Sequence, residues 1–170
     1  LNDLLLKLED ELLREHSDEL TILPTENLEI FNGLDKTHRK KILNVMTKVN
    51  FKAGEQIPAK SEPHIILIQS GAIDVYADPI SEKSKDINQN QILYRFLPGA
   101  LLGEMSFLDG QKRSAGLKVV EDTECLLLSK SSYNGLKSEQ PILALLLMEN
   151  ISKSLSRKLR NTNETLANVG

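Results

Sequence analysis

The feature that most constrains the fold is a series of short, β-branched apolar stretches between residues 49 and 128. Glycine and proline residues separate them, as is typical of strands joined by tight turns. The stretches are IILIQSG (65–71), AIDVYA (72–77), QILYRFL (91–97), AGLKVV (115–120) and ECLLLS (124–129). Short strands without intervening helices favour an antiparallel jelly roll or barrel over alternating strand–helix units. The polar segment 78–91 is expected to be a solvated hairpin loop.

Helical spacing precedes this β region. Leucines recur every three or four residues at the start of the chain, at positions 1, 4, 5, 8, 12 and 13. This spacing predicts an amphipathic helix in a linker that covers residues 1–24. Asp35 then stands in an N-cap position before a second predicted helix over residues 36–48. The apolar stripe of that helix is Ile42, Leu43, Val45 and Met46.

Helical spacing returns at Pro141 and predicts a long helix over residues 141–170. Proline suits the first turn of a helix, where its missing N–H would have no partner. Two heptad registers run along the helix: Leu145, Ser152, Leu159 and Leu166, and Met148, Leu155, Thr162 and Val169. One edge is therefore expected to pair with a second copy as a homodimer. Its cations, Lys153, Arg157, Lys158 and Arg160, indicate a solvated face more than a surface for nucleic acid or anionic lipid.

The charge and the single cysteine exclude several classes of protein. A net charge of −3 argues against a broad nucleic-acid surface, and too few residues follow Pro141 for a helix-turn-helix module. We therefore expect no nucleic-acid binding by this chain alone. No apolar run reaches the roughly 20 residues of a membrane span. Cys125, expected in the core, has no partner for an internal disulfide and no zinc-ligand spacing around it, which favours a reducing, cytoplasmic compartment.

The segment GEMSFLDGQKRSA, residues 103–115, concentrates groups that suit a phosphate. A short helix beginning near Ser106 would direct free backbone N–H groups towards an anion. Arg113 offers a planar fork that can bind two phosphate oxygens. Ser114 can donate a hydroxyl hydrogen bond to the same phosphate, and Ala115 is small enough to let the backbone approach.

Two further residues of this segment suit a ribose. Glu104, kept ionised near Arg113, would accept a hydrogen bond from the 2′-hydroxyl. Gly103 has no Cβ and would let the sugar lie close to the chain. A surface ion pair is the plain alternative for Glu104 and Arg113 when the two are considered without their surroundings.

The order of these features resembles the cyclic-nucleotide-binding domain family, in particular its catabolite activator protein-like regulatory domains. The resemblance covers about residues 27–169, and the G-E-x-S-x-L…R-S-A pattern is its most specific part. It implies a mainly β, α+β fold, a jelly-roll or β-roll barrel with N-terminal helices over residues 25–140, a short phosphate-binding helix and the long helix at 141–170. The implied protein is a non-enzymatic regulatory domain that binds a cyclic nucleotide and signals through its C-terminal helix.

The resemblance also implies the ligand and its contacts. The predicted ligand-binding residues are Gly103, Glu104, Met105, Ser106, Arg113, Ser114, Ala115, Thr162 and Asn163. Thr162, polar in a leucine-rich seam, would meet the purine edge, with Asn163 reaching it from the partner helix of a dimer. Gly116 lacks the hydroxyl that marks guanine preference in the family, so cAMP is favoured over cGMP. No metal, no other cofactor and no catalytic residue is expected.

Two alternatives concern the larger context. The N-terminal LNDLLLKLEDELL resembles the linker of sulfate permease family transporters that carry such a C-terminal module, whereas catabolite activator-type transcription factors are the competing parent. The domain could instead be a ligand-free barrel that serves dimerisation or protein interaction.

Overall fold

The computed structural model describes residues 28–57, 62–77, 92–113 and 115–169. The predicted linker helix at 1–24, the predicted loop at 78–91 and Ser114 lie outside the described residues.

In the described part of the chain, eight strands form two antiparallel sheets, and together with the flanking helices they confirm the predicted α+β, jelly-roll fold. The strands are β1 (Thr47–Phe51), β2 (Gln56–Ile57), β3 (His64–Ser70), β4 (Ile73–Ala77), β5 (Ile92–Phe96), β6 (Leu101–Leu102), β7 (Ala115–Val119) and β8 (Thr123–Ser129). One sheet has the order β1-β8-β3-β6 and the other β2-β7-β4-β5. All five predicted strands are present. The sequence analysis missed β1, β2 and β6, because β1 is largely exposed and the other two are only two residues long.

The alternation of side chains along β3 explains its uninterrupted apolar sequence. Ile66 and Ile68 face the second sheet, where they pack with Ile73 and Val119. Ile65 and Leu67 face the opposite way, into a core shared with the helices. Since neighbouring residues of a strand point to opposite faces, a strand covered on both sides must be apolar at every position. Cys125 is fully buried between the two sheets, as predicted, and burial raises the pKa of its thiol to about 12.

The described residues form five helical segments, most of which pack against the first sheet. They are a 3₁₀ turn (Glu29–Phe31), α1 (Lys36–Val45), α2 (Glu104–Asp109), α3 (Lys130–Glu139) and α4 (Pro141–Val169). Asp35 caps α1 as predicted, its carboxylate accepting a hydrogen bond of 2.8 Å from the His38 N–H. The predicted end of α1 at residue 48 is wrong, because the chain turns into β1 at Thr47. The sequence analysis also missed α3, which Ser129 caps through its hydroxyl.

The fully buried face of helix α4 belongs to neither of the two predicted heptad registers. Its inner face packs Leu147 and Ile151 into the helical core. The buried Asn150 amide donates hydrogen bonds to the carbonyls of Ile30 (3.0 Å) and Asn32 (2.9 Å), which fixes the 3₁₀ turn against the helix. The register that begins at Leu145 faces solvent instead. Among the described residues, no helix combines the length and hydropathy needed to cross a membrane.

Candidate functional site

A cavity of about 440 Å³ opens between α2, the second sheet and the C-terminal half of α4. The strands supply Val75, Tyr94, Phe96, Leu102, Ala115 and Leu117; the 103–113 segment supplies Gly103, Glu104, Met105, Ser106 and Arg113; and α4 supplies Leu155, Lys158, Leu159, Asn161 and Thr162. Seven of the nine predicted ligand-binding residues therefore line one space. The walls are mostly apolar and the ionised groups are few, a combination typical of small-molecule sites.

The helix at the cavity begins two residues earlier than predicted. Gly103, with φ of +80°, is the N-cap residue, and α2 starts at Glu104 rather than near Ser106. An added Cβ at Gly103 would overlap the carbonyl oxygen of His64 and lie 3.8 Å from Nε of Arg113. The left-handed backbone and the close approach both require glycine. This turn brings the first N–H groups of α2 next to the guanidinium.

Arg113 is a cation that forms no ion pair with any described residue. Its Nη1 atom is buried and has no hydrogen-bond partner among the described residues. Burial lowers the pKa of the guanidinium from its usual value, but an arginine stays charged at neutral pH. A charged group with a buried, unpaired atom destabilises the folded domain. An anion that binds in the cavity and pairs with Arg113 would therefore stabilise it.

Glu104 forms an ion pair with Lys158, a residue that was predicted to lie on a solvated face of the helix. Its carboxylate is 5% exposed and lies 2.5 Å from Nζ of Lys158, which also donates to the carbonyl of Leu101. The same ammonium lies 5.2 Å from the ring centre of Phe96. The prediction that Lys158 lies on a solvated face is therefore wrong. Lys158 follows Leu155 by three residues and precedes Thr162 by four, a spacing that puts it on the cavity face of the helix.

The far end of α2 is also fixed. Lys130, the first residue of α3, donates to the carbonyl of Phe107 (2.8 Å), one of the last-turn carbonyls of α2, and its ammonium lies 4.5 Å from the Phe107 ring centre. The same ring packs edge-to-face against Tyr133, with 5.8 Å between the ring centres. A cation at the C-terminal end of a helix satisfies carbonyls that have no intrahelical partner. Both ends of the short helix are thus held by lysines from other helices.

The remaining predicted residues differ in position. Met105 and Ala115 line the cavity, although Met105 is largely exposed. Thr162 also lines it, and its hydroxyl donates to the Lys158 carbonyl (3.0 Å) within α4. Asn163 is exposed and does not line the cavity, so its predicted contact through a second copy stays a prediction. Ser114 lies outside the described residues.

The position of Gly116 does not support its predicted link to base preference. A Cβ at Gly116 would overlap the ring of Tyr76, whereas the neighbouring Ala115 and Leu117 line the cavity. Consecutive strand residues point to opposite faces, so a hydroxyl at position 116 would lie behind the sheet. Its absence therefore says nothing about the base.

Comparison with known proteins matches residues 48–140, more than half of the chain, to the model of the cyclic nucleotide-binding domain. A cyclic AMP receptor protein of Thermus thermophilus is 33% identical over 99 residues, 58% of this chain and 41% of that protein. A cGMP-dependent 3′,5′-cGMP phosphodiesterase A of Dictyostelium discoideum is 29% identical over 83% of this chain and 16% of that protein.

The crystal structure of Thermus thermophilus catabolite activator protein superposes with a TM-score of 0.66 at 28% identity, over 83% of this chain and 62% of that one. The chain thus spans less than two thirds of the length of each of these three relatives. The matched residues cover more than half of the chain, and the fold superposes on that of a solved relative. This chain belongs to the cyclic nucleotide-binding domain family.

Proposed function

We propose that this domain is a non-enzymatic sensor that binds a cyclic mononucleotide in the 440 Å³ cavity, with cAMP favoured over cGMP. The observation that carries the proposal is the half-buried Arg113, whose Nη1 atom is buried without a hydrogen-bond partner among the described residues and whose guanidinium lies beside the start of α2. A planar fork and free helix N–H groups converge there, as phosphate oxygens require.

The charge of the cavity suits such a ligand. Arg113 and Lys158 contribute two positive charges and Glu104 one negative charge, so the lining carries a net +1. A cyclic mononucleotide carries one negative charge and would make the occupied site neutral. Neutralisation matters because an uncompensated charge in a buried site is disfavoured. Glu104, at the start of α2, is placed to accept from the ribose 2′-hydroxyl while it keeps its bond to Lys158.

The state of Thr162 supports adenine over guanine. Its hydroxyl proton is engaged by the Lys158 carbonyl, so the oxygen faces the cavity as an acceptor. Adenine offers an N6 amino donor where guanine offers the O6 acceptor. The relative named as a cyclic AMP receptor protein points the same way.

Signalling would run through α4, because that helix belongs to the cavity and to the core at once. Lys158 and Thr162 line the cavity, whereas Leu147 and Ile151 pack in the helical core. A ligand that makes different contacts with two positions of α4 would shift the balance between them. The helix could then pass occupancy to attached or partner domains.

Isothermal titration calorimetry with cAMP, cGMP, 2′-deoxy-cAMP and cyclic di-GMP tests this function. We expect cAMP to bind most tightly and 2′-deoxy-cAMP to bind about tenfold more weakly, since the buried carboxylate loses a hydrogen bond. In Glu104→Met, which has no acceptor, cAMP and 2′-deoxy-cAMP should bind equally. No heat from the wild type with any of the four compounds would refute the sensor function.

A homodimer through α4 is the second part of the proposal. Leu145 and Leu159 are 63% and 61% exposed and lie in one heptad register with Ser152. We call these three residues the seam.

Apolar side chains at heptad spacing pair with a second helix. The double change Leu145→Glu with Leu159→Glu should therefore convert a dimer to a monomer of 19.0 kDa, as measured by light scattering. Val120→Glu, a similarly charged change at an exposed residue of the β7–β8 turn, should leave the mass unchanged. A wild-type monomer at all concentrations would contradict the dimer.

A ligand-free interaction module is the alternative, and the Glu104–Lys158 contact favours it. That ion pair gives the Glu104 carboxylate a partner without any nucleotide. A dimer whose mass depends on the seam and whose calorimetry is silent with every nucleotide would support this module. Attachment to a sulfate permease-type transporter stays a prediction.

A further inference from the structure

A groove on α4 lies apart from the nucleotide cavity and borders the seam, with which it shares Ser152. It encloses about 500 Å³, and its described lining residues, Glu149, Ser152, Lys153, Ser156, Arg157 and Arg160, all belong to α4. The surface of a single helix is convex and cannot enclose a space by itself. The groove can therefore accommodate another segment that packs alongside α4. At 3.6 residues per turn, the four residues from Lys153 to Arg160 centre about a quarter of a turn from the seam. Apart from the shared Ser152, the groove and the seam therefore lie on different faces of α4.

The groove has an excess of positive charge. Lys153 forms an ion pair with Glu149 of the same helix (2.7 Å), and Arg157 forms one with Glu29. Arg160 is exposed and has no ion-pair partner among the described residues. Three cations thus face two carboxylates, which leaves a site for an acidic partner.

We propose that this groove is the docking surface for the acidic, leucine-rich segment of the same chain, residues 1–15. Residues 1–27 contain eight Asp and Glu against two Lys and Arg, a net of −6. Because the whole chain carries −3, the remaining residues carry +3. The two parts of the chain are therefore electrostatically complementary, and the predicted leucine stripe of the segment would cover the apolar stems of the groove's long cations.

The path of the chain permits this contact. The described part begins at Leu28, and the next residue, Glu29, is the ion-pair partner of Arg157. The chain therefore enters the domain at the edge of the groove. Residues 16–27 can span up to about 40 Å when extended, and α4 measures only about 24 Å from Pro141 to Arg157. The segment reaches every part of the groove without unfolding the domain.

The position of the groove has a consequence for signalling. Lys158 lines the nucleotide cavity, while its neighbours Arg157 and Arg160 line the groove. Sequence preceding the domain would thus be attached to the helix that contacts the ligand. The docking itself does not rest on nucleotide binding and can be tested without it.

Disulfide mapping in the full chain tests the docking. Cys125 is fully buried with a pKa of about 12, so engineered cysteines are the reactive thiols. Ser156→Cys in the groove is combined with one cysteine in the segment, placed in turn at Asn2, Leu5, Glu9 and Leu12. Under mild oxidation, at least one pair should close within the chain about tenfold faster than the same segment cysteine paired with Lys118→Cys, because docking raises the local concentration. Lys118 is an exposed residue of β7 in the second sheet.

Charge reversal supplies an independent readout. Lys153→Glu with Arg160→Glu should slow the Ser156→Cys disulfide to the rate of the Lys118→Cys control, and Glu9→Lys with Asp10→Lys should restore it. Lys153 and Arg160 are exposed, so their reversal should leave the fold intact. Equal rates at positions 156 and 118 would overturn the proposal. Disulfides that form only between chains, seen as dimers on a non-reducing gel, would overturn it too, because a second copy would then occupy the groove.

Discussion

Arg113→Ala is expected to weaken cAMP binding by about 100- to 1,000-fold, since two hydrogen bonds between charged groups are lost together. The same change should not destabilise the ligand-free protein. It removes a half-buried guanidinium whose buried Nη1 atom has no partner among the described residues, so the free energy of unfolding should stay constant or rise. Calorimetry gives the affinity and urea unfolding gives the stability. Loss of affinity without loss of stability is what a binding residue predicts and a structural residue does not.

Two variants separate geometry from charge at this position. Arg113→Lys keeps the charge but not the fork, so it should recover part of the affinity. Lys112→Ala removes an exposed neighbouring cation and should leave binding unchanged, because long-range attraction is screened by salt. If Arg113→Ala binds cAMP as the wild type does, the phosphate is held elsewhere and the proposed site is wrong.

Gly103→Ala is expected to lower the free energy of unfolding by about 2 to 4 kcal/mol, the sum of left-handed backbone strain and overpacking. The strain follows from the φ of +80°, and the overpacking from the overlap of the new Cβ with the His64 carbonyl. Relief of that overlap would move the start of α2 away from Arg113, so nucleotide affinity should fall as well. Chemical denaturation and calorimetry on the same preparation measure both effects.

The opposite end of the same helix offers a matched control. Gly110 is the C-cap residue of α2 and has φ of +71°, but a Cβ there would meet no atom within 4 Å. Gly110→Ala should therefore cost only the backbone strain, about 1 to 2 kcal/mol, and should spare nucleotide binding. Equal losses in the two variants would show that the close approach to His64 is unimportant.

Local features were predictable because their physical causes lie within a few residues of sequence. Five strands followed from short apolar stretches bounded by turn residues, and α4 followed from helical spacing after Pro141. The Asp35 cap followed from the same reasoning. In the site, the short helix and the arginine nine residues after Glu104 were recognisable in one continuous segment. The shortest strands were missed because two residues carry no periodicity.

By itself, the sequence determined the fold class and the chemical groups between Gly103 and Arg113. The tertiary structure alone decided which groups meet. It brought Lys158 to Glu104 across 54 residues of sequence, directed position 116 towards Tyr76 and away from the cavity, and left Arg113 without a counter-ion among the described residues. The physical reason is the range of the interactions. Turns, caps and periodicity are fixed by neighbours in the chain, whereas ion pairing and the burial of a charge depend on the packing of whole sheets and helices against one another.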